Sequence, residues 1–196
     1  MNYFFGSHPI GFIPMSQDLP HLIWVDCEMT GLDLNKDALV EIAVLVTDAQ
    51  LNVLGEGVDL VIKCDQGKLD GMDAVVKDMH TKSGLINEIK NGTTLEAADD
   101  AIIAYLKKYA PAEGKSPLAG NSVYVDRGFI ARDLPKLNAY LHYRTIDVST
   151  IKELARRWHP KTYFAAPAKE GNHRALGDIR DSIAELDYYR SAIFLP

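Results

Sequence analysis

The sequence predicts an α/β protein with a mixed five-stranded sheet, in which an antiparallel meander precedes parallel strands and helices flank the sheet. Three apolar segments rich in β-branched residues lie close together near the N-terminus. Segments with helical spacing then alternate with two further short apolar segments. Hydrophobic residues make up 47% of the 196 residues and charged residues 24%. This balance is usual for one globular domain.

The first predicted strand lies within Leu22-Ile-Trp-Val-Asp-Cys-Glu-Met-Thr-Gly-Leu32 and contains two carboxylates. Side chains alternate along a strand, so Asp26 and Glu28 point to the same face and Cys27 to the other. Two neighbouring carboxylates repel each other unless a positive group offsets them. A divalent metal is one candidate, because hard cations take oxygen ligands, and a salt bridge to Lys or Arg is the alternative. We interpret Cys27 as a core residue.

Two more strands complete the predicted meander. Residues 40–47 read VEIAVLVT, and residues 58–62 form the third segment, with a turn at 48–52. Because the connections are short, these strands are expected to be antiparallel neighbours.

Helical spacing dominates the middle of the chain. One pattern runs from Leu69 to Met79, and a second helix begins at Thr93 or Thr94 and ends before Pro111. Thr93 and Glu96 fit a capping box. The short strand predicted over residues 117–121 follows a helix and is therefore expected to be parallel to its neighbour.

The C-terminal part repeats this alternation. A helical segment carries Val125 and Phe129, and the fifth strand is predicted over residues 143–148. A short helix capped by Ser149 or Thr150 is expected to end near residue 158, before a loop. The last predicted helix covers residues 174–192.

Charge and cysteine content restrict the class of protein. The net charge is −6, which argues against broad binding of long nucleic acid but not against a short anionic substrate. The two cysteines form no metal motif or disulfide framework, which favours the reducing cytoplasm. No segment suits a membrane span. We expect residues 1–20 to be an N-terminal extension, since Met15 offers a second start, and residues 21–196 to form one domain.

Three more polar residues extend the acidic pair. Asp126 follows Asn121 at the end of the fourth strand, and His173 precedes Asp178 at the start of the last helix. Element ends of this kind converge on one crevice in α/β proteins. Helix-dipole stabilisation explains Asp126 equally well, and an exposed loop position explains His173.

Four acids and a histidine suit two-metal hydrolysis of a phosphodiester. In this hypothesis Asp26 bridges two ions, Glu28 and Asp178 complete the first, and Asp126 holds the second. A neutral His173 would accept the proton of the attacking water.

The order D-x-E, N-x4-D and H-x4-D resembles the DEDDh 3′→5′ exonucleases, and oligoribonucleases in particular. The resemblance runs from about Leu22 to Phe194 and is carried by four strings. They are Trp24-Val-Asp-Cys-Glu-Met-Thr-Gly-Leu32, Gly120-Asn-Ser-Val with Asp126-Arg127, Tyr143-Arg-Thr-Ile-Asp-Val-Ser149, and His173-Arg-Ala-Leu-x-Asp178. It implies a ribonuclease H-like fold for the domain.

The resemblance also implies a substrate, cofactors and a partner. It implies hydrolysis of short single-stranded RNA, especially diribonucleotides, to nucleoside 5′-monophosphates with Mg²⁺ or Mn²⁺, by a homodimer in the cytoplasm. No other cofactor site is predicted. The implied substrate-binding residues, of which Tyr143 and Arg144 would reach the partner's site, are Leu32, His80, Ser122, Tyr143, Arg144 and Ser149.

Structural explanations remain open for these residues, as turn, helix-cap or surface positions. Many relatives carry Trp where this chain has Val75, so we expect weaker or differently distributed base contacts. The alternatives to the oligoribonuclease function are a DEDDh exonuclease acting on longer RNA or DNA 3′ ends and an inactive nucleotide-binding module.

Overall fold

The computed structural model describes residues 19–168 and 174–194 and confirms the α/β class. A single sheet contains five strands, and helices cover both of its faces. The strands are β1 (Leu22–Met29), β2 (Leu39–Thr47), β3 (Val53–Val61), β4 (Leu118–Gly120) and β5 (Thr145–Asp147). The helices are α1 (Gln66–Asp70), α2 (Ala74–Lys82), α3 (Leu85–Glu88), α4 (Leu95–Tyr109), α5 (Tyr124–Asp133), α6 (Pro135–Tyr140), α7 (Val148–Trp158), α8 (Pro160–Phe164) and α9 (Ala175–Ile193), with a 3-10 turn at Ile89–Asn91.

The sheet has the predicted mixed topology. Its strand order is β3-β2-β1-β4-β5, which puts β1 in the centre. β1 and β2 are antiparallel, as are β2 and β3. β4 pairs parallel with β1 and with β5. The acidic first strand is therefore hydrogen-bonded on both sides.

The two faces of β1 carry different cores. Ile23, Val25 and Cys27 belong to a buried cluster that includes residues of α4 and α5. Cys27 is thus a core residue, as predicted. Trp24 belongs to a second cluster, which includes Ile179 of α9. Because Asp26 and Glu28 follow Trp24 in the same alternation, they lie on the face that α9 covers.

The third and fifth strands differ from the predicted bounds. β3 begins at Val53, five residues earlier than expected, and pairs with β2 from that residue onwards. Gly55 and Gly57 adopt positive φ angles within it. Glycine weakens the local strand signal, whereas the ladder of backbone hydrogen bonds selects the strand conformation. β5 contains only three residues, so Tyr143 and Arg144 precede it.

The helical pattern from Leu69 to Met79 was interpreted wrongly as one helix. The structure has two, because the Asp73 side chain accepts hydrogen bonds from the N–H groups of Val75 and Val76 and starts α2 there. Such a cap competes with a continuous helix. Val75 is consequently 78% exposed rather than part of an apolar face.

The capping box expected at Thr93 and the cap expected at Ser149 or Thr150 were both displaced, and three helices were missed. The cap of α4 is Thr94, while Thr93 forms a bridge with Ile62. The cap of α7 is Asp147, which accepts from the Ser149 N–H. The missed helices are α3, which has only four residues, and α6 and α8, which each begin with proline, a residue favoured at a first helical position but easily read as a loop signal. Among the described residues, no helix has the length and hydropathy needed to cross a bilayer.

Candidate active site

Three acidic residues converge above the central strand. Asp26 and Glu28 come from β1, and Asp178 from the first turn of α9. Each offers one carboxylate oxygen, and the three atoms lie within 4.8 Å of one another. We call these three residues the acidic triad. Its oxygen donors suit Mg²⁺ or Mn²⁺ rather than a soft metal.

The fourth predicted acid reaches β1 from the opposite helix layer. Asp126 lies in the first turn of α5 and is 7% exposed. Its Oδ1 accepts a hydrogen bond of 2.9 Å from the backbone N–H of Cys27, between the two acids of β1. This bond orients the Asp126 carboxylate next to the acidic triad. Asp126 is not one of the three residues whose oxygens form the compact group.

The electrostatics of these acids favour a bound cation. Burial, followed by the charges of Asp126 and Glu28, raises the pKa of Asp26 well above its usual range. Burial and then the neighbouring Glu41 and Asp178 raise the pKa of Glu28 to about 8. Burial raises that of Asp126 to about 6. Crowded carboxylates hold protons unless a cation offsets their charge, so the residues present fit a divalent metal.

An ion-pair group that the sequence analysis missed lies beside the acidic triad. Glu41 of β2 is directly opposite Glu28 in the sheet and is completely buried. Arg174 Nε donates to its Oε1 at 2.8 Å, and Arg174 Nη1 donates to Glu88 at 2.9 Å. The signal available in the sequence was a single glutamate inside the otherwise apolar segment of residues 40–47.

His80 lies behind Glu28 rather than on an open surface. It is completely buried, and its Nε2 is 2.8 Å from the carbonyl oxygen of Met29. Its Nδ1 is 3.8 Å from Glu28 Oε2. The observed contact is therefore with a residue of the acidic triad, and a role for His80 in binding substrate stays a prediction.

Ser122 and Ser149 are brought together at the ends of β4 and β5. Their hydroxyl oxygens are 3.1 Å apart, and the Ser122 N–H donates to Ser149 Oγ at 3.0 Å. Ser149 Oγ also donates to Asn121 Oδ1. Ser122 adopts a φ of +51°, which is uncommon for a residue with a side chain. The Ser122 N–H also donates to Asp147 Oδ1 at 3.0 Å, so the two serines and Asp147 form one connected polar group at this corner.

The remaining predicted residues occupy exposed loops or fall outside the described part. Leu32 is 72% exposed after β1, and Tyr143 is 75% exposed before β5. The exposed Arg144 guanidinium lies 5.4 Å from the centre of the Tyr143 ring. His173 lies outside the described residues.

Comparisons with known proteins agree with this geometry. Residues 23–186 match a family model described as exonuclease. Oligoribonucleases of Streptomyces griseus and Streptomyces coelicolor are 59% and 58% identical to the chain. Each alignment covers 89% of this chain, with 87% and 88% of the relative.

Solved structures of exonuclease I have a similar fold. The zinc-bound Escherichia coli exonuclease I complex with single-stranded DNA has a TM-score of 0.69 and 16% identity, and the match covers 89% of this chain. The Methylocaldum szegediense exonuclease I has a TM-score of 0.64 and 21% identity, with 89% of this chain covered. The match spans only 41% of each of those chains, so the likeness concerns the fold of this domain.

Proposed function

Since the chain belongs to the oligoribonuclease branch of the exonuclease family and is a 3′→5′ exoribonuclease of short oligoribonucleotides, we propose that diribonucleotides are its preferred substrates. The products would be nucleoside 5′-monophosphates. The acidic triad, with three oxygens within 4.8 Å, is the observation that carries the proposed chemistry.

Four acids would hold the metal. Asp26 would serve both divalent ions, Glu28 and Asp178 would complete the first site, and Asp126 would hold the second. When bound, Mg²⁺ or Mn²⁺ stabilises the charge on the attacking and leaving oxygens of the phosphodiester. The buried surroundings of Glu28 and Asp126 strengthen these electrostatic interactions, because little water competes there.

His173 is assigned as the proton acceptor for the attacking water. An imidazole near its ordinary pKa is neutral in much of the population at neutral pH and can accept a proton. In the sequence, His173 lies five residues ahead of Asp178.

Polar and cationic groups would recognise the 5′ end of the substrate. Ser149 offers a hydroxyl group there and Arg144 a guanidinium, whereas Ser122, whose hydroxyl is next to that of Ser149, would hold the substrate near its phosphate. Leu32 would contact the bases, and His80 would support substrate binding from behind Glu28. A cap on the 5′ phosphate gives a dinucleotide favourable contacts at both of its ends and excludes longer chains sterically.

A homodimer would complete this cap, with Tyr143 and Arg144 reaching the site of the second subunit. Both residues precede β5, the edge strand of the sheet. A groove of about 400 Å³ runs along the end of the sheet where β1 begins, from Leu51 of the β2–β3 turn to Ile146 of β5, and is lined by Leu22 and Phe194 as well. An apolar surface next to exposed cap residues supports association of two copies.

The two cysteines are unpaired, which suits the cytoplasm that we propose as the compartment of this protein.

The function is tested with 5′-labelled RNA of two, seven and about twenty nucleotides, with Mg²⁺ or excess chelator. We expect metal-dependent cleavage that is fastest on the dinucleotide and is lost in Asp178→Ala. The control Asp187→Ala removes an exposed acid of the same helix and should leave the rate unchanged.

Other outcomes lead to different functions. Equal or faster cleavage of the longest RNA would indicate general trimming of RNA 3′ ends. Cleavage of single-stranded DNA alone would indicate a DNA exonuclease, and metal binding without cleavage of either would indicate an inactive nucleotide-binding module.

A further inference from the structure

Arg174, which directly follows the proposed proton acceptor, joins the start of α9 to two other elements. Its guanidinium contacts Glu41 of β2 and Glu88 of α3. We propose that these three residues, the Arg174 clamp, are positioning residues that hold Asp178 in register with β1. The inference rests on the proposed function and adds residues that act through the metal ligands.

The inner half of the clamp lies beside the acidic triad. Glu41 is paired directly with Glu28 across the antiparallel strands, so the two side chains share one face. Like charges in such a pair repel each other, and Glu41 is completely buried. A buried carboxylate of this kind needs a cation, and Arg174 provides it at 2.8 Å. The position of Arg174 is therefore set by the strand that lies next to the triad.

Glu41 also caps the helix that carries Asp178. Arg174 is the N-cap residue of α9, and its own side chain makes no capping bond. The Ala175 N–H instead donates to Glu41 Oε2 at 3.3 Å. A carboxylate at a helix N-terminus satisfies a free N–H group and interacts favourably with the helix dipole. One glutamate thus holds both the side chain of Arg174 and the first turn of the helix.

The first turn of α9 links Arg174 to Asp178, the proposed metal ligand. The Asp178 N–H donates to the Arg174 carbonyl oxygen at 3.0 Å, so the two residues are linked by one helical turn. A shift of Arg174 would move the Asp178 carboxylate relative to Asp26 and Glu28.

The outer half of the clamp fixes the orientation of the guanidinium. Arg174 Nη1 and Nη2 donate to the two oxygens of Glu88 at 2.9 and 3.1 Å. This two-bond arrangement uses the planar fork of arginine, which lysine cannot reproduce. The Glu88 side chain is 47% exposed, so it can be changed without opening the core.

The test compares Arg174→Gln, Arg174→Lys and Glu88→Gln with the wild type. The matched control is Arg157→Gln, which removes an exposed arginine bonded to Glu153 on α7. Mn²⁺ affinity is measured by electron paramagnetic resonance without RNA, and kcat and KM are measured on a diribonucleotide. Circular dichroism and thermal unfolding show whether each variant is folded.

We expect Arg174→Gln to lower Mn²⁺ affinity and kcat by about 10- to 100-fold, as for other residues that orient metal ligands. KM should change much less. Arg174→Lys should recover part of the loss, because it can pair with Glu41 alone. Glu88→Gln should produce a smaller loss in the same two quantities.

The positioning role of the clamp would be overturned if the folded variants lose thermal stability only. Their Mn²⁺ affinity and kcat would then equal those of Arg157→Gln. If Arg174→Gln does not fold, Glu88→Gln decides by the same criterion. A wild type that cleaves no RNA would overturn the proposed function instead, and the Mn²⁺ affinities would still test the clamp.

Discussion

The acidic triad and the exposed loop residues differ in how firmly the protein holds them. Glu28 is 7% exposed, and the triad is fixed by the central strand and by α9. Leu32 and Tyr143, in contrast, are 72% and 75% exposed on loops. The chemical centre is therefore preorganised by the fold. The side chains that we propose to select substrates by length lie on the surface, where a bound substrate or a second subunit would have to order them.

Removing one charge from the triad should have the largest effect and should not depend on substrate length. We expect Glu28→Gln to lower the rate more than about 10²-fold on both two- and seven-nucleotide RNA, because a proposed metal ligand is lost. The same variant should unfold at a higher temperature in chelator, because it removes a buried acid that repels its neighbours. Initial rates and thermal unfolding measure the two effects.

The exposed Glu56 of β3 provides the control, since Glu56→Gln should change neither quantity. A Glu28→Gln loss confined to the dinucleotide would contradict the division between chemistry and length selection.

Removing the Arg144 guanidinium, the cationic group of the proposed 5′ cap, should slow cleavage of the dinucleotide only. For Arg144→Ala we expect kcat/KM on the dinucleotide to fall about 10- to 100-fold, the effect of losing a hydrogen bond between charged groups. Cleavage of the seven-nucleotide RNA should change little. The control Arg157→Ala removes an exposed arginine elsewhere. Equal losses on both RNAs would show that Arg144 contributes to the chemistry instead of length selection.

The pKa shifts predict opposite pH trends for the metal-free and metal-bound protein. Folding raises the pKa of Glu28 from 4.5 to about 8 and that of Asp126 from 3.8 to about 6. The folded metal-free protein then binds more protons than the unfolded chain over this range. The free energy of unfolding of the metal-free protein should therefore fall as the pH rises from about 4 to about 8, and it should level off above about 8.

Mn²⁺ binding should strengthen over the same range, by about tenfold per pH unit for each proton displaced. Thermal unfolding in chelator and Mn²⁺ titrations at about pH 6, 7 and 8 measure both trends. The control is Glu28→Gln, which should weaken both pH trends. A metal-free stability that rises with pH would contradict the assigned shifts.

The smallest expected effect concerns the exposed Val75. Val75→Trp should tighten dinucleotide binding by about 1 kcal/mol, roughly fivefold, because base stacking on an aromatic contributes at least that much. Dinucleotide affinity, measured by calorimetry with the inactive Asp178→Ala background, tests this. The control Val53→Trp adds the same side chain to another exposed position, on β3. Absence of tightening would show that bases do not reach α2.

Local patterns in the sequence predicted much of the fold and the acidic site. Strand alternation put Asp26 and Glu28 on one face, and the structure confirms that they meet Asp178. The short connections predicted the antiparallel meander, and the helix before β4 predicted its parallel pairing. These predictions needed only neighbouring residues, because the periods of strands and helices are set by backbone geometry.

Only the tertiary structure decided which distant residues support that site. Glu41 faces Glu28 because of the strand register, and its contact with Arg174 spans 133 residues of chain. The hydrogen bond from Cys27 to Asp126 spans 99 residues. No local period encodes such pairs, since their free energy depends on the packing of β1, β2, α5 and α9 together. The sequence by itself determined the pattern of acidic residues, whereas packing decided their orientation and the buried ion pairs beside them.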